Sequence, residues 1–146
     1  MNRTKWAHRL LVALSLACLP ASAHAAALQP TDILYADWSN AQILAVDPAT
    51  GDRSVLSSAG VGSGPDFTAP YGVTVDPAES VLYVTDATVD AVFAVDPASG
   101  NRSIVSSNSV GAGPELGNPG EIVFDAADGS LIVADGGSSA GGGATN

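Results

Sequence analysis

The chain has 146 residues, with five Lys+Arg against 15 Asp+Glu, a formal net charge of −10 and 46% hydrophobic residues. An acidic chain repels phosphate backbones, which argues against nucleic-acid binding, and the apolar fraction excludes general disorder. A single Cys excludes an internal disulfide and a multi-thiolate zinc site.

The first 25 residues read as a leader. Arg3, Lys5 and Arg9 precede an apolar run from Leu10 to Leu19. Pro20 breaks the run, and Ala21-Ser22-Ala23 and Ala23-His24-Ala25 follow. Basic, apolar and A-x-A segments in that order form a secretory signal peptide, with cleavage expected after Ala25. The run is too short for the roughly 20 residues that cross a bilayer, so no membrane association is expected after cleavage. The expected location is secreted or periplasmic. Cleavage leaves Arg53 and Arg102 against all 15 acids, a formal charge of −13, with no Cys and no His. His-based acid–base catalysis, Ser-His-Asp triads and His-ligated zinc are then excluded within this sequence.

The remainder repeats. Residues 45–58 return at 94–107 with 10 of 14 positions identical and no gap, an offset of 49. Gly62-Ser63-Gly64-Pro65 returns as Gly111-Ala112-Gly113-Pro114, Pro70 as Pro119, and Asp37 as Asp86 and then Asp135. Such self-similarity marks a duplicated structural unit.

The unit reads as β throughout. Three strands are expected within about 32–58. A complete set follows: Val73–Val75, Val81–Val84, Ala91–Val95 and Arg102–Val105, with the first beginning after Gly72 because glycine is a poor strand former. Asp96-Pro97-Ala98-Ser99-Gly100 reads as a hairpin turn, since Pro presets φ and Gly accepts the left-handed position. Two further strands fall within about 121–134. The near-continuous apolar runs of the second and third strands predict sheets covered on both faces. Residues 136–146, rich in Gly, Ser and Ala, read as a disordered tail.

Four meandering strands per unit describe a propeller blade. The expected fold is therefore all-β, a partial β-propeller of about 2.25 four-stranded antiparallel blades occupying 26–135. Propellers generally close with about 4–8 blades. Missing blades are thus expected from a longer chain or from oligomerisation, with a truncated product favoured.

Pro70-Tyr71-Gly72-Val73-Thr74-Val75-Asp76 and Leu82-Tyr83-Val84-Thr85-Asp86 resemble the NHL repeat. Similar repeats occur in the gluconolactonase family and in other exported bacterial six-bladed propellers. The period of 49 is longer than a typical NHL repeat, and Glu121 stands where the pattern has Gly. The resemblance implies a scaffold for binding, occasionally a metal-dependent lactonase or a lyase. Neither catalytic set transfers to residues of this chain.

Four features are candidates for chemistry. Asp37, Asp86 and Asp135 follow equivalent second strands, and three converging carboxylates would hold a hard cation such as Ca²⁺. The competing reading, favoured by their recurrence in every unit, is that each caps its own turn. Trp38, whose counterparts are Ala87 and Gly136, either stacks a ligand or packs between blades. Arg53 and Arg102 are expected to pair with neighbouring carboxylates. The Gly-x-Gly-Pro connections lack the Lys and the helix of a phosphate loop and read as long connections between blades. The favoured function is non-catalytic binding of an unidentified ligand or protein partner. The alternative is a metal-dependent hydrolase of lactonase type, with the three aspartates as ligands.

Overall fold

The computed structural model describes residues 27–137. The expected signal peptide and nearly all of the expected tail lie outside them. Nine strands are present among the described residues: β1 (Ile33–Asp37), β2 (Gln42–Val46), β3 (Arg53–Ser57), β4 (Pro70–Val75), β5 (Leu82–Asp86), β6 (Ala91–Val95), β7 (Arg102–Ser107), β8 (Pro119–Asp125) and β9 (Ser130–Asp135). They form three antiparallel sheets in meander order, β1-β2-β3, β4-β5-β6-β7 and β8-β9. The four-stranded sheet is a complete propeller blade, and the chain is a partial β-propeller. β4 lies against β1 on one side and β8 on the other.

The hydrophobic pattern explains the stacking. Strand side chains alternate between faces. On β5 and β6, Leu82, Val84, Phe93 and Val95 are at most 1% exposed and pack with Ile43, Ala45 and Leu56 of the first sheet. Phe67, from the connection between the sheets, meets Phe93 edge-on at 5.0 Å between ring centroids. On the other face of the central sheet, Tyr83 stacks on Phe124 of the third at 6.1 Å. The central blade is thus covered on both faces, as its uninterrupted apolar runs predict. The outer sheets are not. Ile33 and Tyr35 on β1, and Val123 and Ile132 on β8 and β9, are all more than half exposed.

Strand boundaries differ from expectation by one to three residues: β5 ends at Asp86 rather than Val84, β7 at Ser107 rather than Val105, and the largest difference is in β4. β4 begins at Pro70 rather than Val73 and carries Gly72 inside it. Its register shifts between Pro70, paired with Asp86, and Val73, paired with Val84. Gly72 is there because of close approach, not strand propensity. A Cβ at this position would lie 2.7 Å from the Gly120 carbonyl oxygen of β8 and 3.0 Å from Thr85 Oγ1. Thr85 uses the same space. Its hydroxyl accepts from Gly72 N–H at 2.9 Å and donates to Gly120 O at 2.5 Å, joining two blades through one side chain.

Candidate functional site

The repeated aspartates sit where second strands end, and each carboxylate is engaged by its surroundings. Asp86 is fully buried. Its Oδ2 accepts from the backbone N–H groups of Thr68 (2.7 Å) and Ala69 (2.9 Å), in the connection arriving from the first sheet. Its Oδ1 accepts from Thr88 (3.0 Å) and Val89 (3.3 Å), in the turn that follows β5. Asp135 repeats half of this arrangement, accepting from Gly117, the counterpart of Thr68, and from Gly137, the counterpart of Thr88. Asp37 accepts from the Asn40 backbone and side chain and from Gln42 Nε2, capping a single 3-10 turn at Trp38–Asn40. These bonds place inter-blade connections and second-to-third turns at the same end of the sheets. Among the described residues no group of three His, Cys, Asp or Glu side chains is arranged to hold a metal ion.

Arg102, first residue of β7, is the other repeated charge, and its side chain is 1% exposed. It enters the connection between β3 and β4 as a plug. Nε donates to Pro65 O (2.7 Å), one terminal nitrogen to Ser57 Oγ, Ser58 O and Val61 O (2.7–3.1 Å), and the other to Asp66 Oδ1 (3.0 Å). The guanidinium also lies 5.4 Å from the Phe67 ring centroid. The expected carboxylate pairing is therefore only a small part of its environment, because backbone carbonyls supply most acceptors and Asp66 is 66% exposed. Arg53, its counterpart, has no ion pair among the described residues. The signal that identifies Arg102 is the joint recurrence of Ser-Ser, Gly-x-Gly-Pro and Arg at fixed spacing, which sequence reading treats as separate features.

Trp38 lies at the same end of the sheets as the aspartates and is 61% exposed. Tyr71, 49% exposed, faces it with ring centroids 6.3 Å apart and planes at 57°. Tyr71 also borders a groove of about 320 Å³ shared with Asn118, Gly120, Glu121, Asp135 and Gly136. Sequence reading singles out Trp38 but not Tyr71. The available signal is that both break the repeat, since Tyr71 is replaced by Gly120 one unit later.

At the opposite end of the strands lie the Asp-Pro hairpins. Asp47 accepts from Ala49 N–H and Thr50 Oγ1, and Asp96 from Ala98 N–H and Ser99 Oγ. These bonds favour the ionised form. The Ala49 amide first of all holds Asp47 below the usual carboxylate value, and the Ser99 hydroxyl does so for Asp96. Asp76, in the turn after β4, is lowered chiefly by Val81 N–H. Carboxyl groups with depressed folded-state pKa stabilise the fold above their unfolded value, and the benefit fades as pH falls through the folded one. Melting temperature is therefore expected to be insensitive to these groups at neutral pH and to drop below about pH 4. A calorimetric pH series from 7 to 2 checks this; a loss centred near pH 6 would contradict it.

No family model matches the sequence, and no curated protein matches it. Among solved structures, the chain is similar to one from the crystal structure of a nidogen/laminin complex, with a TM-score of 0.56 and 25% identity. The match covers 71% of this chain and 36% of that one.

Proposed function

We propose that the chain is an exported repeat scaffold that binds a ligand or protein partner without catalysing a reaction, through the face carrying Trp38 and Tyr71. The observation that carries the reading is the tilted Trp38–Tyr71 pair, exposed beside a groove. Large aromatic side chains left in water at one place favour partner binding, because covering them removes apolar area and leaves their N–H and O–H groups free to bond. The aspartates support the same reading from the other side. Their oxygens are occupied by amide donors, a turn-capping arrangement rather than a set of lone pairs facing one cation. The similar solved chain comes from a complex of two proteins, which favours a protein occupant. Export rests on the basic, apolar and A-x-A segments of residues 1–25.

Calorimetric titration with panels of peptides and soluble oligosaccharides tests the proposal. Trp38→Ala and Tyr71→Ala are each expected to weaken a bound ligand about thirtyfold, the usual effect of truncating an interfacial aromatic anchor, with unchanged circular dichroism. Hydrolysis of a lactone that appears on adding Ca²⁺ would overturn the non-catalytic reading and favour the lactonase-type alternative.

A further inference from the structure

The socket that Arg102 fills exists twice in this chain, and its second copy is empty among the described residues. Shifting the residues around the guanidinium by 49 gives Ser106, Ser107, Val110, Pro114, Glu115 and Leu116, and Ser63 becomes Ala112, which keeps the backbone donor and acceptor but not the hydroxyl. These residues surround a cavity of about 80 Å³, the size of a side-chain head group rather than of a free ligand.

The second socket has the conformation of the first. Ser58 and Val61 exchange backbone hydrogen bonds of 3.0 and 3.1 Å, and Ser107 and Val110 exchange bonds of the same lengths. Gly62 and Gly64 have φ of 82° and 105°, and Gly111 and Gly113 have φ of 97° and 137°. The first pair is glycine for two reasons, the left-handed backbone and contact with the plug. A Cβ on Gly62 would lie 1.9 Å from Gly100 O, and one on Gly64 2.0 Å from Arg102 O. A Cβ on Gly113 meets nothing within 4 Å, and one on Gly111 only Ser106 Oγ at 4.0 Å. The opening that accommodates a hairpin backbone is thus present without the hairpin. Exposure agrees: Val61 is 9% exposed and Val110 41%. Asn108 holds the empty loop in shape, donating to Leu116 O (3.1 Å) and accepting from Leu116 N–H (2.7 Å). Its counterpart in the filled loop is Ala59. A loop held in its binding conformation without its ligand loses less entropy on binding.

We infer that the 106–116 connection is a binding site for an arginine-bearing β-hairpin of the kind this chain has at 91–107, supplied by another repeat unit. The filled socket fixes the occupant's chemistry. Gly100 O lies against Gly62, and Ser63 N–H and Oγ donate to Asn101 Oδ1. Arg102 N–H donates to Ser63 O, and the guanidinium then enters. The occupant therefore carries Gly, then Asn or Asp, then Arg. It has two strands because Arg102 lies on the fourth strand of its blade, whereas the third sheet holds counterparts of the first two, β8 and β9. Its first strand pairs with the edge of β9 that is unpaired among the described residues, a β-augmentation. A second copy presenting Arg53 fits less well, because its β1 would fall where β9 already lies. Residues 138–146 contain no Arg. This site involves neither Trp38 nor Tyr71, so its test is independent of the function proposed above.

The probe is a synthetic peptide of residues 91–107, titrated into the chain by calorimetry. Saturable binding is expected, weakened roughly thirtyfold when the peptide's arginine is replaced by alanine. Gly113→Ala in the protein, whose methyl group meets no other atom but strains a φ of 137°, is expected to weaken binding at least as much. Glu115→Lys provides a second, exposed variant that does not depend on backbone geometry, and repulsion of the peptide's arginine should weaken binding again. Absence of binding would overturn the inference, as would affinity indifferent to the peptide's arginine and to both protein variants. Self-association abolished by Arg53→Ala would also overturn it, by assigning the socket to a second copy.

Discussion

Replacing Arg102 by methionine is expected to lower the melting temperature by 10 °C or more. The substitution keeps a long apolar stem and removes the guanidinium. Pro65 O then loses its donor, Ser58 O and Val61 O keep only their mutual backbone bonds, and Ser57 Oγ keeps only its bond to Gly100 O, in a site that is nearly closed to water. One unsatisfied buried acceptor costs about 1–3 kcal/mol, and the loss of the bonds from a charged donor to the other three brings the total to roughly 3 kcal/mol. For a domain of this size each kcal/mol moves the melting temperature by about 4 °C. Arg102→Lys is expected to lose most of the same stability, since an ammonium lacks the planar fork that reaches separated acceptors. Asp66→Asn is expected to cost under about 1 kcal/mol, because its side of the ion pair is largely in water. Thermal melts of the three variants discriminate. Equal losses from Asp66→Asn and Arg102→Met would mean that the ion pair, not the carbonyl socket, holds the blades.

Asp86→Ala is expected to be as severe, at roughly 3 kcal/mol or more, through a different mechanism. Four backbone N–H groups converge on one buried carboxylate, and alanine leaves all four without an acceptor while opening a polar void. Two segments loosen together, 68–69 and 88–89, so the first and second sheets lose a joint that apolar packing does not replace. Asp86→Asn is expected to recover little, because its amide group points N–H donors at N–H donors. Asp135→Ala, at an exposed position with bonds to Gly117 and Gly137 only, is expected to cost about 1 kcal/mol, the usual loss of an exposed cap. Hydrogen exchange read at individual amides checks the mechanism. Thr68, Ala69, Thr88 and Val89 should lose protection in Asp86→Ala, and retention of that protection would contradict it.

The fold was legible because the repeat is. A ten-in-fourteen match at a 49-residue offset, apolar runs of three to five residues and Asp-Pro-x-x-Gly turns each point to the same meander. Local and global signals conflict at Gly72, where strand propensity predicts a break and the structure has a bulged strand. That glycine answers to a neighbouring blade 48 residues away, and no local rule sees Gly120 O. Arg102 has the carboxylate partner expected of it in Asp66, but the larger part of its environment is hidden from the sequence for a similar reason. A charged residue beside an acidic chain suggests a carboxylate partner, but Arg102 is surrounded by carbonyl oxygens of a loop about 40 residues earlier. Backbone acceptors leave no mark on composition. Tyr71 went unnoticed because its exposure depends on how β4 meets the outer sheets, which the alternation within one strand does not determine.

Trp38 and Tyr71 are exposed aromatic residues on this face that depart from the repeat, and the proposed function depends on them. The most direct measurement is an amide NMR map of the isotope-labelled chain titrated with whichever panel ligand binds. Shifts are expected to concentrate at 37–41, 70–72, 118–121 and 135–137, and to leave the hairpins at 47–52 and 96–101 unmoved. Shifts centred on those hairpins, with the amides around Trp38 and Tyr71 unchanged, would contradict the proposal.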